Sequence, residues 1–153
     1  MLIELTKEQI LMVAQAGIIR HLEFLERKAT PQYGLDANTK WELQIEGVLS
    51  EYALSKYLGI HWEGSGVIDG DDVGKEEVRA TKYDNGNLII RPRDKDNQRY
   101  WLLTGENGKY KVRGYMYARD AKQPKYLDDK GNGRTPVYFV PQSDLVKANP
   151  WDI

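Results

Sequence analysis

The 153-residue chain has no cysteine. Disulfides, zinc–thiolate sites, iron–sulfur clusters and a cysteine nucleophile are therefore excluded together. It has only two histidines, His21 and His61. A three-histidine metal centre is impossible, and a Ser-His-Asp triad would have to use one of those two. No apolar run approaches the roughly eighteen residues of a membrane helix, so no membrane partner is expected. The opening MLIELTKEQ has no basic flank followed by an apolar stretch, so a secretory signal is not expected. The expected location is the cytosol, or the host cytoplasm if the chain is phage-encoded. With sulfur absent and imidazole scarce, a bound metal would be held mainly by oxygen, which points to a hard cation such as magnesium.

What the chain does contain is ordinary for one globular domain over residues 1–153: 41% hydrophobic and 29% charged residues. Its net charge of −1 hides an uneven distribution. Residues 1–74 carry 6 basic against 12 acidic side chains, and residues 75–134 carry 15 against 9. An acidic front and a basic middle suggest one positive surface. Solvated strand faces account for it as readily as a surface for phosphate groups.

Helices come first and strands later. Thr6 with Gln9 forms a capping box, followed at helical spacing by Ile10, Val13, Ala14, Gly17, Ile18, Leu22 and Leu25. A first helix is expected over roughly residues 7–28, ended by Thr30-Pro31. A loop follows to Asn38. Thr39 with Glu42 opens a second helix whose apolar face is Trp41, Ile45, Val48, Leu49, Tyr52 and Ala53, closed by Leu58-Gly59. The period then changes to two. Residues 76–83 and 88–92 flank DNGN, and residues 99–104 and 109–117 flank a second Asn-Gly, which predicts two hairpins in an antiparallel run. Residues 128–134 are an expected loop, residues 137–140 a last strand and residues 141–146 a closing turn. The sum is an α/β (α+β) chain, two helices packed on a mixed or antiparallel sheet of about five strands.

The most informative segment is DGDDVGKEEVRAT, residues 69–81. Asp69, Asp71 and Asp72 precede a strand on which Glu77, Arg79 and Thr81 alternate onto one face, with Val78 and Ala80 on the other. A hard divalent cation needs two or three converging carboxylates, and a nearby cation can stabilise a reacting phosphate. An acidic turn before an edge strand is the plainer explanation. On the second helix, Gly47, Glu51 and Ser55 share one strip, so close approach to the sheet would bring Glu51 to such a metal; Glu46 is a lesser alternative.

These residues resemble the PD-(D/E)XK nuclease superfamily, and more narrowly a group of small proteins from phages and environmental sequences. The helix GVLSEYALSKYLGIHW is similar to the family's glycine–small–Glu–x–Ala helix. DDVGKEEVRAT is similar to its Asp–(four residues)–Glu–x–(Lys/Arg) core, followed by a hairpin like YDNGNLIIRPRD, and VYFVPQSDL resembles the closing segment of the narrower group. The resemblance spans about residues 44–146. It implies a restriction-endonuclease-like core and Mg²⁺- or Mn²⁺-dependent hydrolysis of DNA phosphodiesters. Asp72 and Glu77 would hold the metal, Glu51 would assist, and Arg79 would stand where the family usually has lysine. Arginine can stabilise a transition state but cannot act as a base. Metal-bound hydroxide would then have to suffice, or Lys75 or Lys82 stand in, or the domain no longer cuts.

Arg91, Arg93, Lys111 and Arg113 are candidates for tracking phosphates, together with Arg99 and Lys109. The tyrosines and Trp101 interleaved with them suit base stacking, although core packing is the commoner role at strand spacing. His21, on the apolar face of the first helix, is expected to be packed, and neither histidine receives a role. Three functional readings remain: a metal-dependent DNA nuclease, a silent DNA-, nucleotide- or protein-binding module on the same fold, and a structural protein with a stabilising metal. A homodimer is compatible with each.

Overall fold

The computed structural model describes residues 2–27, 40–64, 73–131 and 133–147. Its elements in chain order are β1 (Leu2–Glu4), α1 (Lys7–Arg27), α2 (Lys40–Leu58), β2 (Glu77–Thr81), β3 (Leu88–Ile90), β4 (Arg99–Glu106), β5 (Lys109–Tyr117), α3 (Ala118–Ala121), β6 (Leu127–Asp128) and β7 (Val137–Val140). Short 3₁₀ turns cover Pro124–Tyr126 and Gln142–Asp144. The fold is α+β. No helix among the described residues is long and apolar enough to cross a membrane.

Helix α1 starts and helix α2 stops where local chemistry says they should. The Thr6 amide donates to Gln9 Oε1 at 2.9 Å, and the Gln9 amide donates back to Thr6 Oγ1 at 3.1 Å. That reciprocal pair satisfies two amide donors at the start of α1. Helix α2 ends on Gly59 at φ 68°, with the Ile60 amide donating to the Ser55 carbonyl at 3.0 Å. This is a glycine-terminated Schellman closure. The expected loop before α2 and its Thr39 cap lie outside the described residues.

Helix α1 differs from expectation in its rotation. Val13, Ala16 and His21 are buried, while Ile18, Leu22 and Leu25 face solvent. The expected single apolar face is thus two faces. The cause is the close approach to α2 at Gly17, where an added Cβ would stand 2.8 Å from both Gln44 O and Ile45 Cα. Only glycine lets the backbones meet there, and this contact sets which residues point inward. His21 packs as expected, its ring 3.9 Å from that of Trp41.

A four-stranded sheet in the order β1-β5-β4-β2 forms the centre, and a three-stranded sheet β3-β7-β6 lies apart from it. Two cores result. One joins the helices to the central sheet through Val13, Val48, Leu54, Val78, Trp101, Leu103 and Tyr110. The other joins the opposite face of that sheet to the small sheet through Leu88, Ile90, Tyr100, Leu102, Met116 and Val140.

The β4–β5 hairpin forms as expected, but the expected hairpin of β2 with β3 does not. Strand β2 instead pairs in parallel with β4, and β3 pairs antiparallel with β7. The DNGN segment still turns, and Gln142 Nε2 donates to the Asp84 and Gly86 carbonyls at 2.8 and 2.9 Å. The two strands belong to different cores: Val78 packs toward the helices, and Leu88 and Ile90 pack against Val140. Burial of those two aliphatics, about 1.5–3 kcal/mol each, outweighs the local turn preference. The expected sheet of about five strands is therefore seven strands in two sheets, and the central one is mixed.

Candidate nucleic-acid interface

Glu51 is 3% exposed, on the helix side of the central sheet. Both of its oxygens accept from Arg20 of α1, one through a short contact and the other at 2.9 Å from Nη2. Trp62 Nε1 donates to Oε2 at 3.4 Å. Of the expected small-residue strip, Ser55 is buried but Gly47 has no neighbour within 4 Å of an added Cβ, so Gly47 does not mark a close approach. Glu51 serves a buried ion pair between helices. Glu46, the alternative carboxylate, accepts from the Tyr110 hydroxyl and, at 2.9 Å, from the Asn107 amide. It ties α2 to the β4–β5 turn. Burial, followed by the Glu46 carboxylate, pushes the Tyr110 hydroxyl far above its ordinary pKa.

A second buried carboxylate, Glu76, is 4% exposed. Arg99 donates to both of its oxygens, and Trp101 Nε1 donates to Oε2 at 2.9 Å. Sequence reasoning singled out its neighbour Glu77 and missed Glu76. The signal was available in the strand alternation, which sends adjacent glutamates to opposite faces. Glu51 and Glu76 share one design: an arginine fork neutralises the charge and an indole N–H donates a further hydrogen bond.

Glu77 and Arg79 stand on the other face. They pair in register with Tyr100 and Leu102, and Val78 between them pairs with Trp101 in the helix-side core. Glu51 and Glu77 are thus separated by the sheet. Arg79 Nη2 donates to Asp94 Oδ2 at 3.0 Å, and its guanidinium carbon lies 4.8 Å from the centre of the Tyr100 ring. Asp94 is fixed in turn by the β3–β4 loop. Its Oδ2 also accepts from the Arg91 amide at 2.8 Å, and its own amide donates to the Arg91 carbonyl at 3.0 Å. Lys122 Nζ reaches the Asp94 carbonyl at 2.6 Å, which pins the loop to the C-terminal end of α3.

This loop brings Arg91 and Arg93 to the same edge as Arg79. The Nε atoms of Arg79 and Arg91 are buried and have no hydrogen-bond partner among the described residues. Burial holds the Arg91 pKa below its ordinary value, and the neighbouring Arg79 and Arg93 charges lower it further against the opposing pull of Asp94. Burial and then the Asp94 and Glu77 charges raise the Tyr100 hydroxyl. The edge therefore gathers three guanidinium groups near one carboxylate, Asp94, with Glu77 beside them. A phosphate oxygen is a suitable acceptor for a planar guanidinium fork in such a place.

Lys111 and Arg113 lie elsewhere, with Asp84. Arg113 donates to Asp84 Oδ1 and, at 2.7 Å, to Thr104 Oγ1, and Lys111 Nζ is 3.9 Å from Asp84. The sequence-level set of four phosphate cations is thus split into two groups with different counterions. Of the interleaved aromatics, Tyr100, Trp101 and Tyr110 are buried in the two cores. Tyr115 and Tyr117 are half-buried beneath Arg99, whose guanidinium carbon lies 5.4 and 6.0 Å from their ring centres.

Asp72, the expected metal aspartate, lies outside the described residues, as do Asp69 and Asp71. Among the described residues no group of three or more His, Asp or Glu side chains could hold a metal ion. The trio with Glu51 does not fit a cation, because Arg20 already occupies that carboxylate and the sheet separates it from Glu77. Lys75 is exposed at the turn before β2, and its carbonyl accepts from Gln98. Lys82 is exposed, with its Nζ 5.6 Å from the centre of the Tyr83 ring.

Asp94 was missed in the sequence, and Tyr100 was noted only among the aromatics interleaved with basic residues. Asp94 follows Arg91 by three residues in RPRD, a spacing at which a carboxylate can accept from the backbone of the arginine. Comparison with known proteins yields no match: no family model, curated protein or solved structure is similar to the chain.

Proposed function

We propose that this protein binds DNA through its phosphate backbone, at the edge built by Arg79, Arg91 and Arg93. The single observation that carries this reading is the state of Arg91. Its half-buried guanidinium faces two other arginines, and its Nε has no acceptor among the described residues. Arg79 takes the Asp94 carboxylate, so the Arg91 guanidinium stands among the arginines with no carboxylate of the described residues hydrogen-bonded to it, an arrangement that an added anion would stabilise. Glu51 and Glu76 do not explain the cluster, since each is matched by its own arginine on the other face. Backbone contacts of this kind are sequence-independent and weaken steeply with salt.

A second reading is metal-dependent hydrolysis of the bound strand, as the resemblance to PD-(D/E)XK nucleases implies. Its support is Glu77, which shares the face and the edge with Arg79. In this reading Mg²⁺ or Mn²⁺ would be held by Asp72 and Glu77, and the cation would supply Lewis acidity and an activated water. Arg79 would bind the phosphate and stabilise its developing charge, and Glu51 would take no part. Incubation with single-stranded, double-stranded and branched DNA in Mg²⁺, Mn²⁺ or EDTA, with Asp72→Ala and Arg91→Ala alongside, tests both readings. Binding in EDTA that Arg91→Ala weakens supports the first. Metal-dependent cleavage abolished by Asp72→Ala adds the second. Absence of binding to every substrate overturns both.

A further inference from the structure

Among the described residues, the outer face of α1 carries a run of exposed large apolar side chains. Leu11, Met12, Ile18, Ile19, Leu22 and Leu25 are each between 40% and 71% exposed. Leu11, Ile18, Leu22 and Leu25 are spaced seven, four and three residues apart, so they form one stripe along the helix. A helix whose inner face is already filled by Val13, Ala16 and His21 is expected to be polar outside. This one has a second apolar face, running from Leu11 to Leu25, about 21 Å.

From this we infer that α1 pairs with α1 of a second copy of the chain, antiparallel, about a two-fold axis at Ile18. The stripe is symmetric about that residue: Leu11 lies seven positions before it and Leu25 seven after. In the antiparallel arrangement each Leu11 meets the other copy's Leu25, the two Ile18 side chains meet each other, and Leu22 meets the small Ala14. Large residues thereby face small or equal ones, as an isologous interface requires. The spacing is also that of a helix-pair seam. Arg20 is already held by Glu51, and the exposed charges near the two ends of the stripe, Lys7 and Glu26, are of opposite sign. The same register carries Lys7 to within about one turn of the other copy's Glu26. One helix pair is a small contact compared with the roughly 1,200–2,000 Å² of stable complexes, so the dimer is expected to dissociate in the micromolar range.

Sedimentation equilibrium from about 1 to 200 µM tests the inference on the whole chain. The expected result is a concentration-dependent monomer–dimer equilibrium, lost in Ile18→Glu with melting unchanged, since Ile18 is exposed. Leu22→Gln serves the same purpose if Ile18→Glu folds poorly. Because the chain has no cysteine, single introduced thiols report geometry cleanly. Oxidation should cross-link Ile18→Cys readily and Leu11→Cys poorly. A wild-type chain that stays monomeric throughout overturns the inference, whether another protein or another part of the chain covers the stripe. A dimer that survives Ile18→Glu, or that cross-links better through Leu11→Cys, overturns it equally.

Discussion

The two faces of the central sheet treat charge in opposite ways. On the helix side, Glu51 and Glu76 are almost fully buried, and each is matched by an arginine and an indole N–H. On the other side, Arg79 pairs with Asp94, the Arg91 amide donates to the same carboxylate, and the Arg91 guanidinium stands near Arg79 and Arg93, with Glu77 close to Tyr100. On the helix side each buried acid is held through both of its oxygens by one arginine and belongs to the architecture. The Arg91 guanidinium donates to no carboxylate among the described residues, which points to an acceptor outside the chain. The contrast teaches that Glu51, which draws attention in the sequence, is a structural charge here, as is Glu76, which does not.

Breaking a completed pair should cost most. Glu51→Ala leaves Arg20 buried without its acid, and a loss of about 3–5 kcal/mol is expected in denaturant unfolding. A much smaller loss would mean that the helix-side pair is dispensable. Gly17→Ala should cost about 1–3 kcal/mol, because its Cβ would press on the α2 backbone. Thermal melting of that variant checks whether the contact fixes the rotation of α1.

The next effect depends on pH. Burial raises Tyr110, Tyr100 and Tyr57, and the hydrogen bond to Asp144 raises Tyr126. Each hydroxyl stays protonated in the fold after its unfolded counterpart ionises near pH 10. Their contribution is fully present below about pH 10 and is lost as pH rises above it, by up to about 1.4 kcal/mol per pH unit for each tyrosine. Tyr110→Phe should flatten that decline in a pH-dependent melting series, with little change in its slope near neutrality.

The smallest stability effect sharpens the comparison. Arg91→Ala removes an uncompensated cation, so unfolding should change by no more than about 0.5 kcal/mol, in either direction. A loss as large as that of Glu51→Ala would place Arg91 among the structural charges instead.

The legible part of the structure was its local part. Capping at Thr6 and Gln9, closure at Gly59, the β4–β5 turn and the inward packing of Val78 all follow from short-range chemistry. What failed was long-range. DNGN signals a hairpin, yet whether β2 meets β3 or β4 depends on which core each strand's aliphatics join. Ile18, Leu22 and Leu25 match the helical period as well as Val13 does, and only contact with α2 at Gly17 decides which set turns inward. For the candidate site, alternation correctly put Glu77 and Arg79 on one face. It could not show that Arg20 claims Glu51, because that pairing joins residues 31 positions apart.

The account stands most directly on the salt dependence of DNA binding, measured by fluorescence anisotropy for wild type, Arg91→Ala and Arg113→Ala. Arg113 is already engaged by Asp84 and Thr104 and serves as the matched control. The prediction is that Arg91→Ala weakens binding and reduces the slope of log K against log salt by about 0.9, the share of one phosphate contact, while Arg113→Ala leaves both nearly unchanged. Binding that is indifferent to Arg91, or that depends on Arg113 instead, would contradict it.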